Sequence, residues 1–199
     1  MIEIITACSG EKYRNQAAEM SRSFIRHGWP KLTIVTDLKI EGCESNQIIQ
    51  QSQMTGCRDL KTLFATFSKF ESTSIWWIDC DCIATGPPID FRIPDGHIAG
   101  RVITRLPVWA GGLPHLAGTV VGIGGRDHAI KLSKTWHDRH AMRPKGSSDE
   151  MGLFEAATSF PVIDIKGDYY NPLPNLTHLG ATSGERNRNP PKIKWISHS

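Results

Sequence analysis

The sequence predicts an α/β fold with a mainly parallel central sheet flanked by helices. Two observations lead to this prediction: apolar strands alternate with amphipathic helices in the first half of the chain, and polar residues follow the strands. The chain has 199 residues, a length that suits one domain with a substantial hydrophobic core. No internal repeat or linker divides it, so we expect a single domain.

The first half of the chain supplies the alternating elements. Apolar spacing predicts a strand at 2–8, a helix at 11–27, a strand at 32–37, a helix at 58–70 and a strand at 74–83. Strand, helix, strand in succession is typical of sheets with parallel pairing.

The second half is less regular, because Gly and Pro interrupt it. The pattern predicts, in order, loops and short strands over 86–118, a strand over 118–125, a helix over 128–140 capped by Asp127, a helix that begins near Ser148 or Asp149, and a loop-rich tail from Leu173 onward.

Composition and charge restrict the function classes. The formal charge of +3 is too small to argue for nucleic-acid binding. The N-terminus has no basic leader with a long apolar core, and no apolar run has the length of a membrane span. Five cysteines form an odd set without zinc-finger spacing. We therefore expect reduced thiols and a cytoplasmic protein.

Polar residues follow three of the predicted strands. They are Thr6 to Gly10, Thr36 with Asp37, and Asp79 with Asp81. In sheets of this class the ligand binds beyond the carboxyl ends of the strands. These three segments are therefore expected to meet at one site.

Asp79 and Asp81 lie at the acidic end of the predicted strand SIWWIDCDCI, directly after its aromatic and apolar residues. Burial of a carboxylate is unfavourable unless the group is paired or binds a metal. Oxygen ligands suit Mg²⁺ or Mn²⁺, which bridge phosphate oxygens. The alternative interpretation is that Asp79 caps a turn and that Asp81 is solvated.

Several segments together resemble a known family. They are the Asp-x-Asp pair, the Gly-Pro-Pro at 86–88, the basic segment RDLKTLFATFSKF before the pair, the acidic pair Asp149-Glu150, the segment His178-Leu-Gly180, and Lys192 to Trp195. The chain resembles GT-A fold glycosyltransferases, most closely the retaining, glycogenin-like and galactosyltransferase-like nucleotide-diphospho-sugar transferases. The resemblance implies a Rossmann-like GT-A fold.

The resemblance also implies a set of functional residues. Mn²⁺ or Mg²⁺ would be held by Asp79, Asp81 and His178. The nucleotide-diphospho-sugar donor, expected to be a UDP-sugar, would contact Thr6, Ala7, Tyr13, Asp37, Arg58, Lys61, Asp79 and Cys80. Asp149 and Glu150 would act in catalysis or acceptor recognition.

Each of these roles has a structural alternative. Tyr13 is then an exposed aromatic residue, Arg58 and Lys61 lie on a solvated helix face, and His178 is a structural histidine. The helix macrodipole alone accounts for acidic residues such as Asp149 and Glu150 at a helix N-terminus.

The implied activity is metal-dependent, retaining sugar transfer to an acceptor, with a glycan, a protein and a nucleic acid left open as its class. We expect a nucleotide-binding half at 1–85, an acceptor half at 86–172 and a tail or lid at 173–199. Two other functions stay open. A haloacid-dehalogenase-like phosphatase also has Asp-x-Asp after a strand, although normally the first one. A non-enzymatic nucleotide- or nucleic-acid-binding module would use the basic, aromatic tail.

Overall fold

A computed structural model describes residues 1–50, 57–103, 114–144, 148–166 and 171–179. Nine strands lie within these ranges: β1 Ile2–Cys8, β2 Lys31–Thr36, β3 Asn46–Ile49, β4 Ser74–Ile78, β5 Cys82–Ala84, β6 Ile98–Ile103, β7 His115–Gly124, β8 Val162–Asp164 and β9 Leu176–His178. The helices described are α1 Glu11–Arg26, α2 Cys57–Thr62, α3 Arg126–Ala141, α4 Asp149–Ala157 and a short 3-10 helix, Phe64–Phe67.

Seven of these strands form one sheet, in the order β3-β2-β1-β4-β7-β6-β8. The pairs β1–β2, β1–β4, β2–β3 and β6–β8 are parallel. Among the described strands of this sheet, only β7 runs antiparallel to its neighbours, β4 and β6. The predicted α/β fold with a mainly parallel sheet is confirmed.

The sheet separates two layers of core residues, because successive side chains of a strand point to opposite faces. Ile4 packs with the buried residues of α1, including Met20 and Phe24. Its neighbour Ile5 packs on the other face with side chains of α3 and α4. Helices therefore cover both faces, as expected for parallel strands that are buried on both sides.

The predicted helix at 58–70 is interrupted. Helix α2 ends at Thr62, and the 3-10 helix follows. The Ser133 hydroxyl of α3 donates to the Thr62 carbonyl at 2.7 Å, and the Thr66 amide donates to Leu63 instead, at 2.9 Å. A tertiary contact thus replaces an α-helical hydrogen bond with an i+3 bond.

The predicted strand at 74–83 is also two elements. Strand β4 ends at Ile78, and the Cys82 amide donates to the Asp79 carbonyl at 3.1 Å, which closes a turn. Strand β5 then leaves the main sheet and pairs antiparallel with β9. Asp79 and Asp81 therefore lie in and around a turn between two sheets.

Helix α3 begins at Arg126, two residues before the prediction, and the proposed cap by Asp127 is wrong. Gly125 (φ 82°) is the N-cap residue. Its amide donates to Thr73 and its carbonyl accepts from Ala129, so the helix starts before Asp127 can cap it. At α4 the prediction is confirmed, since Ser148 accepts a hydrogen bond from the Glu150 amide.

Two expectations about the whole chain are tested only in part. Within the ranges described, no helix combines the length and the apolar character needed to cross a membrane. All five cysteines are described, and each is a free thiol.

Candidate metal centre and adjoining cavity

Asp79, Asp81 and His178 come together at the turn between β4 and β5. Each offers one ligand atom, and the three atoms lie within 4.8 Å of one another. Strand β9 delivers the histidine, because His178 lies opposite Cys82 in the β5–β9 pair. The His178 Nε2 atom is 3.2 Å from Asp81 Oδ1, and the Leu179 amide donates to the Asp81 carbonyl at 2.8 Å.

The donor set fits a divalent cation. Two carboxylates and one imidazole suit Mn²⁺, and the oxygens also suit Mg²⁺. Three carboxylates (Asp79, Asp81 and Asp149) line the adjoining cavity together with two cationic side chains, Arg58 and Lys61. The balance is one negative charge in excess. A divalent cation would reverse that sign and prepare the site for an anionic ligand.

Lys61 joins two of the carboxylates. Its Nζ atom lies 3.1 Å from Asp79 Oδ1 and 2.9 Å from Asp149 Oδ2. Burial lowers the pKa of Lys61, but the Asp79 and Asp149 carboxylates outweigh it and raise that pKa above its ordinary value. Burial raises the pKa of Asp149, and Lys61 more than offsets this, so the pKa of Asp149 is lowered. Lys61 and Asp149 are therefore both charged at neutral pH.

The carboxylate of Asp79 has a second donor. The indole N–H of Trp77 donates to Asp79 Oδ1 at 2.7 Å. Burial is the main reason that the pKa of Asp79 is raised, although Lys61 acts in the opposite direction.

The pairing of β6 with β7 is irregular between Gly100 and Val102, where the register shifts. Gly118 lies in the part of β7 that this bulge displaces. Its amide donates to Glu150 Oε1 at 3.0 Å. A Cβ atom at Gly118 would lie 3.1 Å from Lys61 Nζ and 3.2 Å from Asp149 Oδ2. Only a glycine at this position leaves full room for Lys61 and its contacts with Asp79 and Asp149. A glycine within a strand marks such close approaches, and the sequence prediction missed it.

A cavity of about 280 Å³ adjoins the cluster. The predicted site residues that line it are Ala7, Tyr13, Arg58, Lys61, Asp79, Cys80, Asp81 and Asp149; Cys57 and Trp77, which were not predicted, also line it. A larger cavity of about 520 Å³ lies between α1 and residues 39–41, and none of the predicted site residues lines it.

Thr6 and Asp37 do not line the cavity beside the cluster. Thr6 is fully buried, and it points to the opposite face of β1 from Ala7 because the two are adjacent in a strand. Asp37 accepts hydrogen bonds from Arg14 at 2.7 Å and from the Gly10 amide at 3.0 Å. Burial acts to raise the pKa of Asp37, but the Gly10 amide and Arg14 lower it to about 2.

Part of the predicted site falls outside the described residues. Gly180 and the basic segment from Lys192 to Trp195 lie in the part of the chain that is not described. Their predicted contribution is therefore not placed.

The sequence matches no family model and no curated protein. Solved structures are similar in fold. A structure of the glycosyltransferase GlyE from Streptococcus pneumoniae TIGR4 has a TM-score of 0.60 at 14% identity, over 98% of this chain and 57% of that one. The apo form of GlyE has a TM-score of 0.59 at 13% identity, over 81% of this chain and 44% of that one. The chain thus spans about half the length of GlyE, and the likeness establishes the α/β fold.

Proposed function

We propose that this protein is a metal-dependent glycosyltransferase of the GT-A fold that moves a sugar from a nucleotide-diphospho-sugar to an acceptor. The observation that carries the proposal is the Asp79–Asp81–His178 cluster beside a cavity with two cationic side chains. The likeness of the fold to glycosyltransferase GlyE supports it. A UDP-sugar is the proposed donor, on the resemblance to the retaining, galactosyltransferase-like group.

The donor occupies the cavity in this proposal. Mn²⁺ or Mg²⁺, held by the three clustered side chains, would neutralise charge on the diphosphate leaving group. Arg58 and Lys61 line the same cavity and add positive charge where the phosphates lie. Tyr13 is half exposed at the cavity wall and offers an aromatic face to the base. Ala7 and Cys80 complete that wall, whereas Thr6 and Asp37 do not line it.

Asp149 is the proposed catalytic carboxylate on the acceptor side. Burial raises the pKa of Asp149, but Lys61 outweighs this effect and the net pKa is lowered. Asp149 therefore carries a negative charge at neutral pH. A charged carboxylate can stabilise positive charge at the anomeric carbon or orient an acceptor hydroxyl. Glu150 is not proposed for this role, since its Oε1 atom already accepts a hydrogen bond from the Gly118 amide. We therefore assign Glu150 to holding the β7 bulge against α4.

The end of the described chain belongs to the site in this proposal. Leu173 and Leu176 are fully buried, and β9 pairs with β5. We therefore place residues 173–179 with the metal centre; the rest of the predicted tail or lid, 180–199, lies outside the described residues. The division into a donor half and an acceptor half at residue 85 is kept as part of the proposal.

A donor panel tests the proposal. The protein is incubated with Mn²⁺ and a set of nucleotide-sugars, and release of the nucleoside diphosphate is measured. We expect metal-dependent release from at least one donor, lost in Asp81→Asn because the cluster loses a charged ligand. Asp90→Asn is the matched control, since Asp90 pairs with Arg92 on the surface. A folded protein that neither binds nor turns over any donor with Mn²⁺ contradicts the proposal.

A further inference from the structure

Two adjacent tryptophans of β4 have similar surroundings but different hydrogen-bond partners. Trp76 and Trp77 are 2% and 3% exposed and point to opposite faces of the sheet. The Trp76 indole donates to the Phe91 backbone carbonyl at 2.8 Å. The Trp77 indole donates to Asp79 Oδ1, one of the clustered carboxylates, at 2.7 Å.

We propose that Trp77 is a positioning residue of the metal centre, which holds the Asp79 carboxylate in the orientation that binds the cation. The inference rests on the proposed function, because it concerns the same metal. Trp77 acts through Asp79 and not on the donor's reacting atoms.

The contacts of Asp79 support this role. Oδ1 receives the Trp77 indole at 2.7 Å and the Lys61 ammonium at 3.1 Å. These two donors engage the same oxygen and leave the other one for a cation. A carboxylate with both a neutral and a charged donor on one oxygen loses rotational freedom, because rotation would break both contacts.

The other two ligands contact each other. Asp81 and His178 lie 3.2 Å apart, and the β5–β9 pair and the Leu179 amide hold their backbones. The Asp79 backbone is also held, since its amide donates to the Thr119 carbonyl at 3.0 Å. The orientation of its side chain therefore depends on Trp77 and Lys61.

The Trp77 ring is itself fixed. Phe64 makes an edge contact at a centroid distance of 6.3 Å, and Lys61 Nζ lies 5.8 Å from the ring centroid. Phenylalanine keeps an apolar ring at this position and removes only the N–H donor and part of the ring area. Partners behind metal ligands commonly change metal affinity about 10- to 100-fold when they are removed.

The test compares two matched variants of the full chain, Trp77→Phe and Trp76→Phe. Mn²⁺ alone is the probe, and the free ion is counted by electron paramagnetic resonance during titration. We expect the apparent Kd for Mn²⁺ to rise about tenfold in Trp77→Phe and to stay within about twofold of the wild type in Trp76→Phe. Both variants lose a buried indole, so a general loss of packing moves both alike.

A second variant separates the hydrogen bond from packing and covers a failure of Trp77→Phe to fold. Benzothienylalanine at position 77 has the shape of tryptophan with sulfur in place of N–H, and it should weaken Mn²⁺ binding as phenylalanine does. Wild-type affinity in this variant overturns the inference and leaves the proposed function standing. A wild-type protein that binds no Mn²⁺ overturns both, because the metal centre itself is then absent.

Discussion

Asp79 and Asp149 share one ammonium group, that of Lys61, at 3.1 and 2.9 Å. The contact joins the turn after β4 to the first residue of α4 through a side chain of α2. It therefore ties the proposed metal side of the site to the proposed acceptor side. A substitution at any of the three residues is expected to alter the contacts of the other two.

Loss of the lysine tests how much this bridge stabilises the fold. Lys61→Met leaves two carboxylates in mostly buried positions without their cation. We expect the free energy of unfolding to fall by about 3 kcal/mol, as for other broken buried ion pairs, in urea titrations at neutral pH. Lys69→Met is the control, because Lys69 is exposed, and its effect should stay within about 0.5 kcal/mol. Equal effects of the two variants contradict the bridge.

The Arg14–Asp37 pair should make stability depend on pH in acid. The pKa of Asp37 is about 2, below its ordinary value of 3.8. A lowered folded-state pKa stabilises the protein above the unfolded pKa, and this stabilisation is lost as pH falls through the folded pKa. We expect a contribution of about 1 kcal/mol, discounted for solvent screening, that is present at pH 5 and fades between about pH 4 and pH 2.

Arg14→Met removes the stabilising partner of Asp37. Unfolding free energies of this variant and of the wild type should therefore differ at pH 5 and converge toward pH 2. The control is Lys39→Met, which breaks a well-exposed pair with Glu41 at 3.3 Å. A gap between Arg14→Met and the wild type that is constant from pH 5 to pH 2 would show that the arginine acts by packing alone.

Gly118 should be sensitive even to one added methyl group. Gly118→Ala places a Cβ atom 3.1 Å from Lys61 Nζ and 3.2 Å from Asp149 Oδ2, so the lysine or the aspartate must shift. We expect kcat for the donor reaction to fall about tenfold, since small displacements of positioned groups reduce rates strongly.

Gly100→Ala is the matched control for Gly118→Ala. Its Cβ atom would be equally crowded, at 3.2 Å from Leu116 Cδ2 and from the Val120 carbonyl, but it meets no member of the bridge. Thermal denaturation of both variants reports the packing cost. If Gly100→Ala lowers kcat as much as Gly118→Ala, crowding of the bulge and not the bridge is responsible.

Leu176 should couple the stability of β9 to metal binding. This side chain is fully buried, and its strand carries His178 two residues later. We expect Leu176→Ala to lower the free energy of unfolding by about 3 kcal/mol and to weaken Mn²⁺ binding. Leu132→Ala removes an equally buried leucine of α3 and should destabilise the protein without a specific loss of Mn²⁺ affinity. Equal Mn²⁺ affinities of the two variants contradict the coupling.

The elements that the sequence predicts best are those with a strong local pattern. Strands β1, β2 and β4 are rich in apolar, β-branched and aromatic residues, and nearly all of their residues are buried. Strand β3 has two polar residues in four, and β8 and β9 have three residues each. These short strands exist because a partner strand is present, which no local pattern reports.

The same distinction holds at the site. The Asp-x-Asp pair is common by itself, but it is recognisable here because it follows a buried strand, where carboxylates need a partner or a metal. The partners that orient the site are ordinary residues: Lys61 reads as part of a basic helix, Trp77 as a core aromatic and Gly118 as part of a glycine-rich strand. Their roles depend on distances across the fold between residues that are remote in sequence. Arg14 was missed for the same reason, because nothing in the sequence pairs it with Asp37.

The β5–β9 pair also determines the order in which the metal centre can be assembled. Asp79 and Asp81 precede His178 by about 100 residues along the chain, so they are synthesised first. A growing chain therefore has the two carboxylates long before it has the complete ligand set. Once β9 has joined β5, a bound cation would link β9 to the turn between β4 and β5. It would therefore stabilise a chain that contains β9 over one that ends before it.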